Sequence, residues 1–221
     1  MAKHSTHLID EHSTSLSLPT GGGVIIDLGT GDGRFVYQAA QRHPDRFYIG
    51  IDAQSSALEK ISGKVHRKPS KGGLPNVLFL QAAVESLPPE LDGVADEVHV
   101  HFPWGSLLRA VATGDAVVLQ NLRRICAPDA WLEIVIALDP ERDRAEIARL
   151  ELEPLSAAFL EQTLIPRYRS AGFEVAEHGL GPSTDWPEIH TSWAQRLRGN
   201  QGRSVCFLIA RAVEPLTSPT L

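Results

Sequence analysis

Val24-Ile25-Ile26-Asp27-Leu28-Gly29-Thr30-Gly31-Asp32-Gly33-Arg34 is the stretch on which the fold turns. Val24–Leu28 is a short apolar run bounded by glycines, the pattern of a strand buried on both faces of a parallel sheet. Glycines at alternate positions then allow a tight turn and let a ligand approach the backbone closely. The spacing is G-x-G-x-G, with Arg34 standing where a dinucleotide fingerprint would place its third glycine. Residues 32–43 predict a helix, stopped by Pro44.

The same alternation extends outward. Residues 47–51 predict a second strand closing on Asp52, and 55–67 a helix with Leu58, Ile61 and Val65 on its apolar face. Lys64 and the Arg67/Lys68 pair share another face one turn apart, and a loop follows at 68–73. Residues 76–81 and 97–102 read as the third and fourth strands, 114–126 as a helix, 131–138 as the fifth strand and 156–171 as a helix. Residues 173–177 and 205–210 close the pattern. The expectation is an α/β fold: a seven-stranded, mostly parallel sheet with helices on both faces. Residues 21–212 form one domain, with insertions at 139–154 after the fifth strand and at 181–202 between the last two. The second insertion has a helix start at Asp185-Trp186-Pro187-Glu188, which predicts a helix over about 186–198. Residues 1–20 read as an irregular, flexible lead-in and 213–221 as a tail.

Composition limits the function classes. The 221 residues are 43% hydrophobic and 22% charged, enough for a core, and no run approaches a membrane span. The start, Met1-Ala2-Lys3-His4-Ser5, lacks the charged-then-apolar pattern of a secretory signal. Two cysteines, Cys126 and Cys206, make neither a disulfide framework nor a zinc site, so a cytoplasmic setting is expected. His4, His7 and His12 read as parts of a polar tail, and no metal is expected. A net charge of −6 argues against nucleic-acid binding. The charge is unevenly spread, however. Lys60, Lys64, Arg67, Lys68 and Lys71 fall in an acid-free stretch, and so do Arg196, Arg198, Arg203 and Arg211. Such segments are commonly no more than solvated faces.

The glycine turn, preceded by an acid, resembles the cofactor loop of class I S-adenosylmethionine-dependent methyltransferases. That cofactor has no pyrophosphate but a cationic sulfonium, which acids such as Asp27 and Asp32 suit. Asp52, at a strand end, is placed to accept from ribose hydroxyls, and Glu85 from the adenine amino group. Trp104, in His101-Phe102-Pro103-Trp104-Gly105-Ser106, follows the fourth strand and belongs beside the cofactor's reactive end. Trp193 lies on the inserted helix, with Arg196 one turn away. Together the two indoles would form a stacking slot for a planar base. Trp131, opening an apolar strand, reads as core, and Trp186 as packing for the insertion.

At these residues the chain resembles the aminoglycoside-resistance 16S rRNA (adenine-1408-N1)-methyltransferases. The likeness runs from about Val24 to Ala210. Its specific parts are Asp27–Gly33, the Lys68-Pro69-Ser70-Lys71-Gly72-Gly73-Leu74-Pro75-Asn76 segment, residues 83–88, Phe102-Pro103-Trp104-Gly105-Ser106-Leu107-Leu108 and Thr191-Ser192-Trp193. The resemblance implies that Trp104 and Trp193 sandwich a flipped adenine. It implies S-adenosylmethionine contacts from Gly29, Asp52, Val84, Glu85, His101, Phe102, Pro103, Trp104, Gly105, Ser106, Thr191, Ser192 and Trp193, a set that Gly31 and Ala53 complete. It implies a grip on rRNA by Lys64, Arg67, Lys68, Lys71, Arg196 and Arg203. Gln201 stands where relatives carry an arginine. The implied partner is the 30S subunit at helix 44 of its 16S rRNA, met by a monomer. Adenine N1 has an in-plane lone pair, so no catalytic acid or base is assigned, and His99 and His101 read as structural or cofactor-lining. Three other readings are a tRNA guanine-N7 methyltransferase, which shares a proline-and-tryptophan segment, a small-molecule methyltransferase, which has no reason for the basic segments, and a non-catalytic RNA- or cofactor-binding module.

Overall fold

All positions of strand β1 (Val24–Leu28) are buried, Asp27 included. A strand with no exposed edge of its own needs neighbours on both sides, and in the computed structural model, which describes residues 7–8, 16–17, 22–182 and 204–214, it has them. The other strands are β2 (Phe47–Asp52), β3 (Val77–Gln81), β4 (Ala95–His101), β5 (Cys126–Leu138), β6 (Phe173–Pro182) and β7 (Ser204–Ala212). They form a seven-stranded sheet in the order β3-β2-β1-β4-β5-β7-β6. Only β7 runs against the rest. The chain steps outward from β1 to β3 and then returns to β4 on the far side of β1. That reversal opens a crevice at the carboxyl ends of β1 and β4.

Helices cover the sheet unequally. Helices α1 (Arg34–Arg42) and α2 (Ser55–Val65) close over β1–β3 through Phe35, Val36, Ala40 and Val65, against Ile25, Tyr48 and Val77. The opposite face carries the larger core. Ile26, Ile49, Val98, Val100, Leu132 and Ile134 pack there with α3 (Gly105–Thr113), α4 (Ala116–Ile125) and the helical stretch 157–170. Asn76, just before β3, is buried, and its Nδ2 donates to the carbonyls of Ala40, His43 and Arg46 at 3.1, 3.3 and 3.0 Å. One side chain thus ties the end of α1 to the start of two strands.

The structure departs from the sequence expectation at several points. The helix expected over 114–126 stands as α4, but a further helix, α3, precedes it where none was expected. Gly114 is the left-handed cap of α3 at φ 68°, and Asp115 starts α4 by accepting from the amides of Val117 and Val118. Leu108, Val111 and Ala112 carry the helical spacing that marks α3. In 157–170, a π turn at Leu160–Leu164 precedes Pro166, which has no amide hydrogen to continue the ladder. Trp131 is not core: it is 45% exposed. Alternation along β5 turns Ala130 and Leu132 inward and leaves Trp131 on the other face, between its cross-strand neighbours Glu97 and Arg211. The lead-in is not wholly irregular, since His7–Leu8 pairs antiparallel with Leu16–Ser17. The first insertion contains a short helix, α5 (Arg144–Arg149). The helix expected at 186–198, with Trp186, lies outside the described residues.

Asn76→Ala removes the shared donor of three carbonyls. It is expected to lower stability by about 1–3 kcal/mol, seen as a lower urea midpoint with an unchanged m-value.

Candidate active site

The site begins where β1 ends. Gly29 and Thr30 donate their amides to the Ile51 carbonyl at 2.8 and 3.1 Å, and Gly31 donates to Asp52 Oδ2 at 2.8 Å. The end of β2 therefore holds the glycine turn open. Gly29 has φ 73°, and a Cβ there would stand 2.7 Å from Leu107 Cδ2, so the close packing of turn on α3 requires glycine. Gly31 has φ 57°, and no described residue comes within 4 Å of where a Cβ would stand. Asp52 Oδ1 also accepts from the Gln54 amide at 2.9 Å. Each Asp52 oxygen spends one lone pair on the backbone and keeps another for a ligand.

Two further strand ends complete the cleft. After β3, a 3₁₀ turn (Val84–Ser86) carries the exposed Glu85 and the buried Val84. Asn121 of α4 fixes this turn by donating Nδ2 to the carbonyls of Val84 and Glu85, both at 3.0 Å. After β4, the Phe102 amide bonds the Val135 carbonyl at 2.8 Å, and Phe102 adopts φ 51°, a strained value for a side chain of its size. That kink sends Pro103 and Trp104 away from the strand direction. Trp104 precedes the first turn of α3 and is 54% exposed.

These ends enclose a cleft of about 450 Å³, within the roughly 300–1,000 Å³ range of small-ligand sites. Gly29, Gly31, Asp52, Ala53, Val84, Glu85, Phe102, Pro103, Trp104, Gly105 and Ser106, all expected from the sequence, line it. Its wall also includes Leu28, Ile51, Gln54, Ala82, Ala83 and Leu107, which sequence reasoning did not single out. Leu28 and Ile51 are the last apolar residues of their strands, and Leu107 belongs to the helix the sequence reading overlooked. Thr191, Ser192 and Trp193 lie outside the described residues.

His101 is placed differently from the expectation. It is buried behind the cleft wall, its Nε2 2.7 Å from Glu133 Oε1, with its ring stacked on His99 at 4.9 Å. Strand alternation explains this, because His101 points to the face covered by Phe35 while the kink at Phe102 redirects the chain. Asp27 is buried too, and burial pushes its carboxyl above the ordinary range against the opposing pull of His101 and His99. Asp32 instead faces solvent, paired with Arg34 at 2.8 Å.

Of the residues expected to grip RNA, Arg67, Lys68 and Lys71 are exposed on a loop shaped by the 3₁₀ turn Pro69–Lys71. Tyr37 braces that loop by donating its hydroxyl to the Gly72 carbonyl at 2.9 Å. Lys64 is half-buried, with its ammonium 3.8 Å above the Tyr37 ring. Arg196, Gln201 and Arg203 lie outside the described residues. Among the described residues, no cluster of three or more His, Cys, Asp or Glu side chains has metal-binding geometry, and no helix is long and apolar enough to cross a membrane.

Strand order and a glycine-lined cleft at the sheet's carboxyl edge define a class I methyltransferase fold, whose cofactor is S-adenosylmethionine. The family described as "NpmA: 16S rRNA (adenine(1408)-N(1))-methyltransferase" matches residues 4–212, and the chain belongs to it. A 16S rRNA (adenine(1408)-N(1))-methyltransferase of Streptoalloteichus tenebrarius is 36% identical over 192 residues, 87% of this chain and 88% of the relative. The crystal structure of the aminoglycoside resistance methyltransferase NpmB1 superposes with a TM-score of 0.76 at 50% identity, covering 88% of this chain and 89% of that one. A tryptophan-to-alanine mutant of the Catenulisporales acidiphilia enzyme, solved with cosubstrate SAM, gives 0.76 at 38% identity over 91% and 90% of the two chains. A tRNA (guanine-N(7)-)-methyltransferase of Enterococcus faecalis matches only 36% of this chain.

Gly29→Ala is expected to weaken S-adenosylmethionine binding at least about ten-fold by calorimetry, because the turn must shift away from Leu107. Gly63→Ala, in α2 with open space around it, is the control: unchanged binding and a gain of roughly 0.5–1 kcal/mol in stability.

Proposed function

We propose that this protein transfers a methyl group to N1 of adenine 1408 in the 16S rRNA of the 30S decoding site, at helix 44, and so confers aminoglycoside resistance. The observation that carries this reading is the exposed Trp104 at the rim of a cleft built from three strand ends, in a chain that belongs to the adenine-1408 family over residues 4–212. S-adenosylmethionine, when bound, supplies an electrophilic methyl group on a cationic sulfur. Asp52 accepts from its ribose hydroxyls with the lone pairs the backbone leaves open, and Glu85 accepts from its adenine amino group. Gly29, Gly31, Ala53, Val84 and residues 102–106 make the remaining wall.

Adenine N1 presents its lone pair in the ring plane and needs no base to expose it. What the protein must provide is position: N1 held in line with the methyl group, an effect that alone accounts for several powers of ten in rate. Trp104 supplies one face of a stacking slot and Trp193 the other, gripping a base swung out of its RNA. Stacking of roughly 1–3 kcal/mol per base, with phosphate contacts, offsets the few kcal/mol that extrusion costs. Arg67, Lys68 and Lys71 contact phosphates from a loop already shaped by Tyr37, joined by Arg196 and Arg203. Lys64 serves that loop by stacking on Tyr37. A local cationic surface reconciles a net charge of −6 with an RNA substrate. The protein acts as a monomer in the cytoplasm.

The test is transfer of labelled methyl groups from S-adenosylmethionine to purified 30S subunits, with tRNA as comparison. The wild type is expected to label 30S subunits alone. Trp104→Ala and Trp193→Ala should each lose about 10–100-fold in rate while keeping cofactor affinity within a few-fold. Full activity in both variants would remove the base sandwich. Lys71→Glu should weaken 30S binding and flatten its salt dependence, so that the deficit narrows as salt rises. Unchanged binding and slope would make the loop inert surface.

A further inference from the structure

We propose that the buried His99, stacked on His101, reads the charge of the methyl donor: it gives up a proton when the cationic donor enters the cleft and takes one back after the positive charge has left with the methyl group. This inference rests on the cofactor reading above. It extends it to residues outside the cleft wall.

The geometry places an ionisable cluster directly behind the site. Asp27 of β1 and His99 of β4 are lateral neighbours in register, and Glu133 of β5 is the next neighbour of His99. His101 Nε2 lies 2.7 Å from Glu133 Oε1. His99 Nε2 lies 3.5 Å from Glu97 Oε2, whose other oxygen accepts from Arg46 Nη1 at 2.9 Å. The two imidazole rings stack 4.9 Å apart at 22°, and Phe35 of α1 seals them from solvent at 5.8 and 5.5 Å. The groups facing His99 are therefore Asp27 from β1, Glu133 from β5, Glu97 and His101 from its own strand, Arg46 through Glu97, and the uncharged Phe35. Three carboxylates crowd this seam, with Arg46 as the only fixed cation among these groups. His99 supplies further positive charge by holding a proton. His99 Nδ1, buried and without a partner among the described residues, is the position from which that proton can leave with no hydrogen bond broken.

The cluster touches the cleft along the chain at both strands. Asp27 precedes Leu28 and Gly29, and His101 precedes Phe102, all on the wall. The charge on Asp52, itself on the wall, also raises the affinity of Asp27 for a proton. Burial works to lower the proton affinity of His99, but the bond to Glu97 and the charges of Glu133 and Asp27 outweigh it and raise its pKa. His99 thus stays protonated to a higher pH than an ordinary histidine, and a cation placed before the cluster moves that pKa back down. Between the two values, donor binding releases protons, and affinity rises with pH by linkage. The demethylated product, S-adenosylhomocysteine, carries no sulfonium charge and lacks this coupling. The affinity of the donor relative to the product therefore rises as His99 loses its proton.

The experiment is calorimetry of S-adenosylmethionine and of S-adenosylhomocysteine binding to the full chain between pH 6 and 8.5. Buffers of different ionisation enthalpy count the protons released. The amino group common to both ligands cancels in the difference. The wild type is expected to release a few tenths of a proton more with the donor than with the product near neutral pH, and the donor-to-product affinity ratio should rise several-fold across the range. In His99→Asn and in Glu97→Gln, two independent ways of removing the coupling, both effects should vanish while circular dichroism reports a folded chain. An equal proton count for the two ligands in the wild type, or a difference that persists in both variants, overturns the proposal. Failure of the wild type to bind the donor at all would instead sink the cofactor reading.

Discussion

Everything at the carboxyl edge of this sheet depends on how β2 holds the turn that follows β1. A chain leaving a buried parallel strand through Gly29-Thr30-Gly31 has amides that must find acceptors, and the Ile51 carbonyl and Asp52 carboxylate provide them. Because those acceptors lie on the neighbouring strand, the turn is pinned open and its outer side stays available to a ligand. The same carboxylate that fixes the turn also faces the cleft. In the proposed function, structure and recognition therefore share one residue.

The second constraint is the kink after β4. Strand geometry alone would continue the alternation that sends His99 and His101 to one buried face and Val98 and Val100 to the other. Phe102 breaks it with a left-handed backbone, its ring packed beside Val135, Val205 and Phe207, and the indole of Trp104 is carried out to the rim. The indole ring, 54% exposed, is the surface that the proposed function uses as one half of a stacking slot. The polar seam behind it, with Asp27, His99, His101 and Glu133, replaces apolar core at the centre of the sheet.

Much of this was legible in the sequence because the signals are local. A five-residue apolar run between glycines, Pro44 closing α1, and acids at strand ends all act within a few residues of themselves, and the corresponding elements stand where they were expected. The misreadings share a cause in tertiary context. Gly114 looks equally like the start of one helix or the cap of another until Asp115 is seen binding the amides of Val117 and Val118. Trp131 has the hydrophobicity of a core residue, but its strand phase puts it opposite Leu132. The π turn before Pro166, and the depth of His101 behind the wall, depend on packing that no short window contains. The bracing of the basic loop by Tyr37 and of the Glu85 turn by Asn121 joins residues far apart in the chain. Trp193 and its neighbours, read from motif and resemblance, remain proposals of function.

The most direct test of the account is the affinity of S-adenosylmethionine for the wild type and for Asp52→Ala, measured by calorimetry on folded protein. If Asp52 both pins the glycine turn and receives the ribose, the wild type binds one equivalent and the variant binds roughly 100-fold more weakly, the loss of two or more charge-assisted hydrogen bonds. Undiminished affinity in Asp52→Ala would contradict the account, because the cleft would then owe neither its shape nor its ligand to the end of β2.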